Sequence, residues 1–209
     1  MLVSKDIFLE ATTFNDIMAH SHLKRYHTEH TMRTQNLAEH CFRVTLIAVK
    51  WLYEYHSFLC TKDGAMLPQD WNLKELELET YRYALLHEVS EIDTGDIPSH
   101  VKWHLRETHN IDINKIVDEK HWADRGIAKE REVTPVVKAL VSLADTMEGK
   151  MFASGQIPCG KVRHSVLADW DRIWDKKVAM FSPYVKYEFL RGLGTDYYRT
   201  DLGVDAAWK

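Results

Sequence analysis

Apolar residues recur at three- and four-residue steps in several long segments, and this periodicity constrains the fold more than any other feature of the chain. In the segment 36–55, Leu37, Cys41, Val44, Ala48 and Trp51 share one face of a helix. Turn signals are sparse, because the 209 residues include only nine Gly and five Pro. A many-stranded protein needs frequent turns between its strands. The sequence therefore predicts an all-α fold.

Helix boundaries can be predicted from capping residues. Asn36 and Glu39 have the spacing of a capping box, which predicts a helix start at this point. A second helix is expected to begin at about 72 and to end next to Gly95. Glycine adopts the left-handed conformation that is common just past a helix end. Thr134–Pro135 predicts the start of a third helix. Segment 164–193 predicts one or two further amphipathic helices.

Composition narrows the classes of function. Lys plus Arg number 27 against 31 Asp plus Glu, a net charge of −4 that gives no reason to expect binding to a nucleic-acid polymer or a membrane. No apolar run approaches the roughly 18 residues that span a bilayer, and the N-terminus lacks the pattern of a secretory signal. The three cysteines form no CxxC pair, which argues against a thiolate zinc site or a disulfide framework. We expect a soluble cytoplasmic protein.

The segment ALLHEVSEIDTGDIPSH, residues 84–100, contains a group of ionisable side chains. His87 and Glu88 are adjacent, and Glu91 follows four residues after His87. On a helix this spacing gathers one imidazole and two carboxylates on one side. A solvated helix face explains most such groups, so the segment by itself does not establish a metal site.

Two further ionisable residues interrupt apolar helical segments. His40 lies in the first turn of the helix that begins near 36, and Asp145 interrupts VVKALVSLADTM. Burying a carboxylate is costly unless a cation pairs with it. The plain alternatives are a hydrogen-bonded core histidine for His40 and a salt bridge from Asp145 to Arg33 or Arg43. The candidate ligands together are His40, His87, Glu88 and Asp145. Such nitrogen and oxygen ligation suits a divalent transition ion such as Mn, Co, Fe or Zn.

The order H…HD…D on helices resembles that of HD-domain metal-dependent phosphohydrolases, and the detail is similar to the bacterial HD-domain 5′-deoxynucleotidases. Those proteins carry an Arg followed by an aromatic and then a segment of the type RTENVSEH. Here Arg25-Tyr26 precedes RTQNLAEH at 33–40. Their second block, of the type YHDASEVLTGDLPTPVK, is matched by LHEVSEIDTGDIPSHVK at 86–102, and VKQADAL is matched by VSLADTM at 141–147. At position 88 glutamate replaces the aspartate of the pattern.

The resemblance implies an HD-domain helical bundle in one domain over 1–209, with the motifs at about 24–153 and a C-terminal helical extension at 154–209. It implies one divalent ion (Co, Mn, Zn or Fe, with Mg as a further candidate) on the ligands His40, His87, Glu88 and Asp145. It also implies Glu91 as the glutamate that acts on the attacking water and Asp96 as an acid near the leaving group. Candidate substrate contacts are Arg25, Tyr26, Arg33 and Lys102, and a structural ion pair is an equal alternative for Arg33.

The expected reaction is hydrolysis of deoxynucleoside 5′-monophosphates to nucleoside and phosphate. Two alternatives stay open: a dNTP triphosphohydrolase that releases tripolyphosphate, as in phage-encoded relatives of the same subgroup, and a non-catalytic nucleotide-binding HD protein. Family members pair as homodimers, so a homodimer or higher homo-oligomer is expected. If a phage encodes the protein, its location would be the host cytoplasm.

Overall fold

The computed structural model describes residues 14–25, 34–62, 71–95, 97, 99–124, 133–156 and 161–194. The helices in these ranges are α1 (Phe14–His20), α2 (Leu37–Lys62), α3 (Leu73–Leu86), α4 (Glu91–Thr94), α5 (Ser99–His109), α6 (Ile113–Asp124), α7 (Pro135–Gln156), α8 (Lys161–Phe181) and α9 (Tyr187–Leu193). Two short antiparallel strands, β1 (Lys24–Arg25) and β2 (Gln35–Asn36), pair with Arg25 opposite Gln35. The predicted all-α fold is confirmed.

Helix α2 is the centre of the bundle and packs against α3 and α7. The five residues predicted to share its apolar face are each at most 1% exposed. The side chain of Asn36 caps the helix, because its Oδ1 accepts a hydrogen bond from the Glu39 backbone N–H at 2.8 Å. Strand β2 leads directly into α2, and His40 lies in the first turn of this helix.

The prediction of one continuous second helix is wrong at residues 87–90, which include the candidate ligands His87 and Glu88. Helix α3 ends at Leu86, the chain turns through 87–90, and the short α4 begins at Glu91. Backbone hydrogen bonds of the i→i−3 type tighten this turn, including one of 3.0 Å from the Glu91 N–H to the Glu88 carbonyl. Gly95, with φ of 74°, follows α4, so the predicted end of the segment is correct.

Contacts with α6 hold the turn and the following helix α4 in place. The Ser90 hydroxyl donates to Asp118 Oδ1 at 2.6 Å, and His121 Nδ1 lies 2.7 Å from Asp93 Oδ2. Both pairs join residues that are 28 positions apart in the sequence. The helical periodicity of 72–93 is therefore overridden by tertiary contacts.

Helix α7 begins at Pro135 as predicted and is buried along most of its length. It packs against both α2 and α8. The α8 contact is close at Gly149, where an added Cβ would lie 2.4 Å from the Trp170 ring. Helix α8 also carries Trp174, which meets Trp51 of α2 edge-on with ring centroids 6.1 Å apart. Within the described ranges, none of the helices has the length and apolar character to cross a membrane.

Candidate metal centre

The candidate ligands come together from three parts of the fold. His40 projects from α2, His87 and Glu88 from the turn after α3, and Asp145 from α7. One nitrogen or oxygen atom from each lies within 4.8 Å of the others. Ligand bonds to divalent transition ions measure about 2.0–2.2 Å. Small side-chain rotations would therefore bring these atoms to bonding distance of one ion.

Hydrogen bonds to Nδ1 orient both imidazole rings. His40 Nδ1 lies 2.7 Å from Glu148 Oε2, and His87 Nδ1 lies 2.8 Å from the Ala84 carbonyl oxygen. A carbonyl only accepts, so Nδ1 of His87 carries the proton and its Nε2 carries the lone pair. The Nε2 atoms of the two rings are therefore the candidate metal-binding nitrogens.

The surroundings of the two Nε2 atoms favour a bound cation. Both are buried without a hydrogen-bond partner among the described residues, at 3.3 Å from Asp145 Oδ1 for His40 and 3.6 Å from Glu88 Oε1 for His87. A buried lone pair facing a carboxylate oxygen is unfavourable unless a proton or a cation lies between them. The donor set therefore fits a divalent metal ion.

The two carboxylates of the cluster are ionised. Burial raises the pKa of Glu88, but the neighbouring His87 ring and the charges of Lys102 and Arg25 outweigh burial and lower it to about 2. Burial also opposes ionisation of Asp145, and the Lys177 ammonium together with His40 holds the pKa of this carboxyl well below its usual range. Both side chains therefore present anionic oxygens to the centre of the cluster.

Burial lowers the pKa of His87, which keeps that imidazole neutral and available as a ligand. At His40, burial and the Arg25 charge likewise lower the pKa. There the Asp145 and Glu148 carboxylates outweigh both and raise the pKa of the ring. The two histidines are thus held in different electrostatic environments.

Glu91 stands beside the cluster as the first residue of α4. It is 6% exposed, its Oε1 accepts from Lys102 Nζ at 2.6 Å, and its buried Oε2 has no hydrogen-bond partner within the described part of the chain. Burial and the charge of Glu88 raise the pKa of Glu91, although Lys102 opposes them. Next to the ionised Glu88, the Glu91 carboxyl therefore favours its protonated form.

A cleft of about 310 Å³ opens beside the cluster. This volume lies at the lower end of the range of about 300–1,000 Å³ for small-molecule sites. Lys102 and Lys177 line the cleft together with His87, Glu88, Glu91 and Asp145. Burial raises the pKa of Tyr83, another lining residue, to about 12, so its phenol stays protonated and can donate a hydrogen bond.

The structure places some of the predicted substrate contacts. Arg25 lies in β1, and its charge contributes to the pKa shifts of His40 and Glu88. Lys102, expected at substrate phosphates, pairs with Glu91. Tyr26, Arg33 and Asp96 lie outside the described residues.

Of the two salt bridges considered as alternatives for Asp145, the one to Arg43 is not formed, and the one to Arg33 lies outside the described residues. Asp145 Oδ2 lies 3.3 Å from Lys177 Nζ. Arg43 instead pairs with Glu39 at 2.6 Å and lies 3.7 Å from Glu148 Oε1. Sequence reasoning did not identify Glu148 or Lys177. Glu148 follows Asp145 by three residues on the same side of an apolar helix, a spacing that would have indicated it; Lys177 has no such local signal.

Comparisons with known proteins relate the chain to one family and one solved structure. The family described as "5′-deoxynucleotidase YfbR-like" matches residues 13–150. Among solved structures, the cyanophage S-2L HD phosphohydrolase DatZ, bound to dA and one catalytic Zn²⁺ ion, is 23% identical with a TM-score of 0.58. The alignment covers 90% of this chain and 96% of that chain, which confirms the HD-domain helical fold. None of the curated proteins matches the chain.

Proposed function

This chain belongs to the YfbR-like 5′-deoxynucleotidase family, and from that premise we propose that it hydrolyses deoxynucleoside 5′-monophosphates to nucleoside and phosphate. It is a hydrolytic enzyme, a metal-dependent nucleotide phosphohydrolase, which sets aside the non-catalytic alternative. The observation that carries the proposal is the cluster of two imidazoles and two carboxylates beside a cleft, with buried Nε2 atoms that lack hydrogen-bond partners among the described residues.

We assign His40, His87, Glu88 and Asp145 as the ligands of one divalent ion. Two nitrogens and two carboxylates suit Zn, Co, Mn or Fe, with Mg as a further candidate, and the catalytic Zn²⁺ of the cyanophage enzyme favours zinc. When bound, such an ion lowers the pKa of water and polarises a phosphoryl oxygen.

Glu91 is the proposed general base. Lys102 holds its Oε1 at 2.6 Å, which leaves the second oxygen to orient a water and take its proton. The charge of Glu88 is one of the two main causes of the raised pKa of Glu91. Neutralising Glu88 as a ligand removes this cause, so Glu91 can accept a proton nearer to neutral pH.

Arg25 and Lys102 are the proposed phosphate contacts among the described residues, because a guanidinium fork and an ammonium both bind phosphate oxygens. From the sequence motif we assign Tyr26 to the nucleoside and Arg33 to phosphate or to structural pairing. We assign Asp96, on the same ground, as the acid that protonates the departing 5′-oxygen.

A second candidate is hydrolysis of dNTPs with release of tripolyphosphate. The observation that favours it is Lys177, which adds a second lysine to the cleft that Lys102 lines. A triphosphate carries more negative charge than a monophosphate and needs more cations to hold it.

The test is to load the protein separately with Zn²⁺, Co²⁺ and Mn²⁺ and incubate each form with panels of dNMPs and dNTPs. Chromatography then separates phosphate from tripolyphosphate. Phosphate release from dNMPs supports the first candidate. Tripolyphosphate release from dNTPs with no action on any monophosphate would exclude it in favour of the second.

A further inference from the structure

We propose that Glu148 and Gln35 form a buried positioning pair that fixes the His40 ring, so that Nδ1 carries the proton and Nε2 faces the metal. The inference rests on the proposed metal role of His40. Neither residue belongs to the ligand set, and each acts through the imidazole.

The three side chains form one continuous hydrogen-bonded chain in the interior. Gln35 and His40 are 0% exposed, and Glu148 is 2% exposed. His40 Nδ1 lies 2.7 Å from Glu148 Oε2, and Gln35 Nε2 donates to Glu148 Oε1 at 2.6 Å. Both oxygens of the carboxylate are therefore engaged, one by the histidine and one by the amide.

A carboxylate on Nδ1 has two effects on a histidine ligand. It fixes the tautomer, because an ionised carboxylate can only accept and so requires the N–H on Nδ1. Its negative charge also makes Nε2 a stronger donor to a metal. His87 has only a neutral carbonyl, that of Ala84, at the same ring position. His40 is therefore the stronger nitrogen ligand of the two.

The amide of Gln35 is the neighbour that suits the buried Glu148 carboxylate. The resembling family segment RTENVSEH has glutamate at the position of Gln35. A glutamate at position 35 would place its carboxyl group about as close to Glu148 as the present 2.6 Å contact. Two buried carboxyl groups at that distance cannot both ionise. An amide at 35 donates instead, so Gln35 and Glu148 are complementary. Arg43 Nη1, 3.7 Å from Glu148 Oε1, adds a partly exposed positive charge.

The variant Glu148→Gln separates a positioning role from a merely structural one. The amide introduced by Glu148→Gln keeps both hydrogen bonds, because its oxygen accepts from His40 and its NH₂ donates to Gln35 Oε1. In the native chain this oxygen of Gln35 is buried and has no hydrogen-bond partner among the described residues. Once the Gln35 amide turns over, the variant therefore removes the negative charge, and with it the ion pair to Arg43, but neither hydrogen bond. If the pair served packing alone, Glu148→Gln would bind metal as wild type does.

The experiment titrates chelator-treated protein with Zn²⁺ against a competing chromophoric chelator. We expect Glu148→Gln to bind Zn²⁺ about 10- to 100-fold more weakly, the usual effect of losing a partner of a ligating histidine, with little change in Tm. Unchanged affinity would overturn the proposal. For the pair, Gln35→Glu should lower the Tm, and the double variant Gln35→Glu with Glu148→Gln should restore much of the loss. A double variant no more stable than Gln35→Glu would contradict the pairing.

A second readout does not need the metal. Long-range ¹H–¹⁵N spectra of metal-free protein at alkaline pH report which nitrogen of His40 carries the proton, with the signal assigned by its loss in His40→Gln. Wild type should show Nδ1–H, and Glu148→Leu, which offers no acceptor, should lose this preference. The same tautomer in both proteins would overturn the proposal. Failure of wild type to bind any metal would contradict the proposed function and not the positioning of His40.

Discussion

The Lys177 ammonium lies 3.3 Å from Asp145 Oδ2 and donates to the Ser142 carbonyl at 2.8 Å, so α8 contributes a cation to the edge of the candidate metal centre. Lys177 falls beyond the family-matched residues 13–150. For the second candidate function, dNTP hydrolysis, we predict that Lys177→Gln raises KM for dNTPs about 10-fold and changes KM for dNMPs less, because a charged hydrogen bond to an outer phosphate is lost. Steady-state kinetics on both substrates measure this difference. Lys176→Gln, at the exposed neighbouring position, is the control, and equal effects of the two variants would contradict the role.

Glu88→Asp should keep metal binding and activity, whereas Glu88→Ala should lose most of both. The glutamate lies in the turn at 87–90 and already places an oxygen within the ligand cluster, so an aspartate needs only a small shift of this turn. Metal content by elemental analysis and kcat measured on the same samples check the prediction. An alanine variant with wild-type metal content and activity would show that Glu88 is not a ligand.

Glu91→Gln should keep the metal and the fold but lower kcat by about 100- to 10,000-fold, the usual range for loss of a general base. The amide still accepts a hydrogen bond from Lys102 but cannot take a proton from water. Kinetics at matched metal content check this, with Glu75→Gln on the exposed surface of α3 as the control. Loss of metal in Glu91→Gln would instead indicate that Glu91 is itself a ligand.

Gly149→Ala should destabilise the protein by about 1–3 kcal/mol, because the new Cβ would lie 2.4 Å from the Trp170 ring and overpack the α7–α8 contact. For a chain of this size, each 1 kcal/mol corresponds to a Tm decrease of about 2–4 °C. Thermal unfolding measures it. Gly155→Ala on the same helix has no atom within 4 Å of its Cβ and should leave the Tm unchanged or slightly higher. If both variants unfold at the same temperature, the close contact at Gly149 is not present in solution.

Cys41 should resist alkylation in the folded protein, whereas Cys60 should react. Cys41 is 1% exposed, and burial followed by the charge of Glu88 raises the pKa of its thiol, which leaves less of the reactive thiolate at any given pH. Cys60 is exposed on the same helix, α2. Peptide mapping after iodoacetamide treatment, with and without denaturant, compares the two sites. Equal labelling under native conditions would show that the face of α2 bearing Cys41 is not buried.

Local sequence determined much of the helical structure. The buried face of α2, the cap at Asn36 and the start of α7 at Pro135 all follow from periodicity and capping, which act over a few residues. The same information predicted the wrong structure at 87–90, where the contacts of Ser90 and Asp93 with α6 break the helix. Those partners are 28 residues away, beyond the reach of a helical pattern.

The sequence by itself determined which side chains are capable of binding a cation, because residue type and spacing limit ligand chemistry. Only the tertiary structure decided how they are held. Glu148 reaches His40 across 108 residues and Lys177 reaches Asp145 across 32, through the packing of α2 and α8 against α7. Burial by that packing removes water from the charged groups, which is why their partners and pKa values depend on neighbours that are distant in the chain.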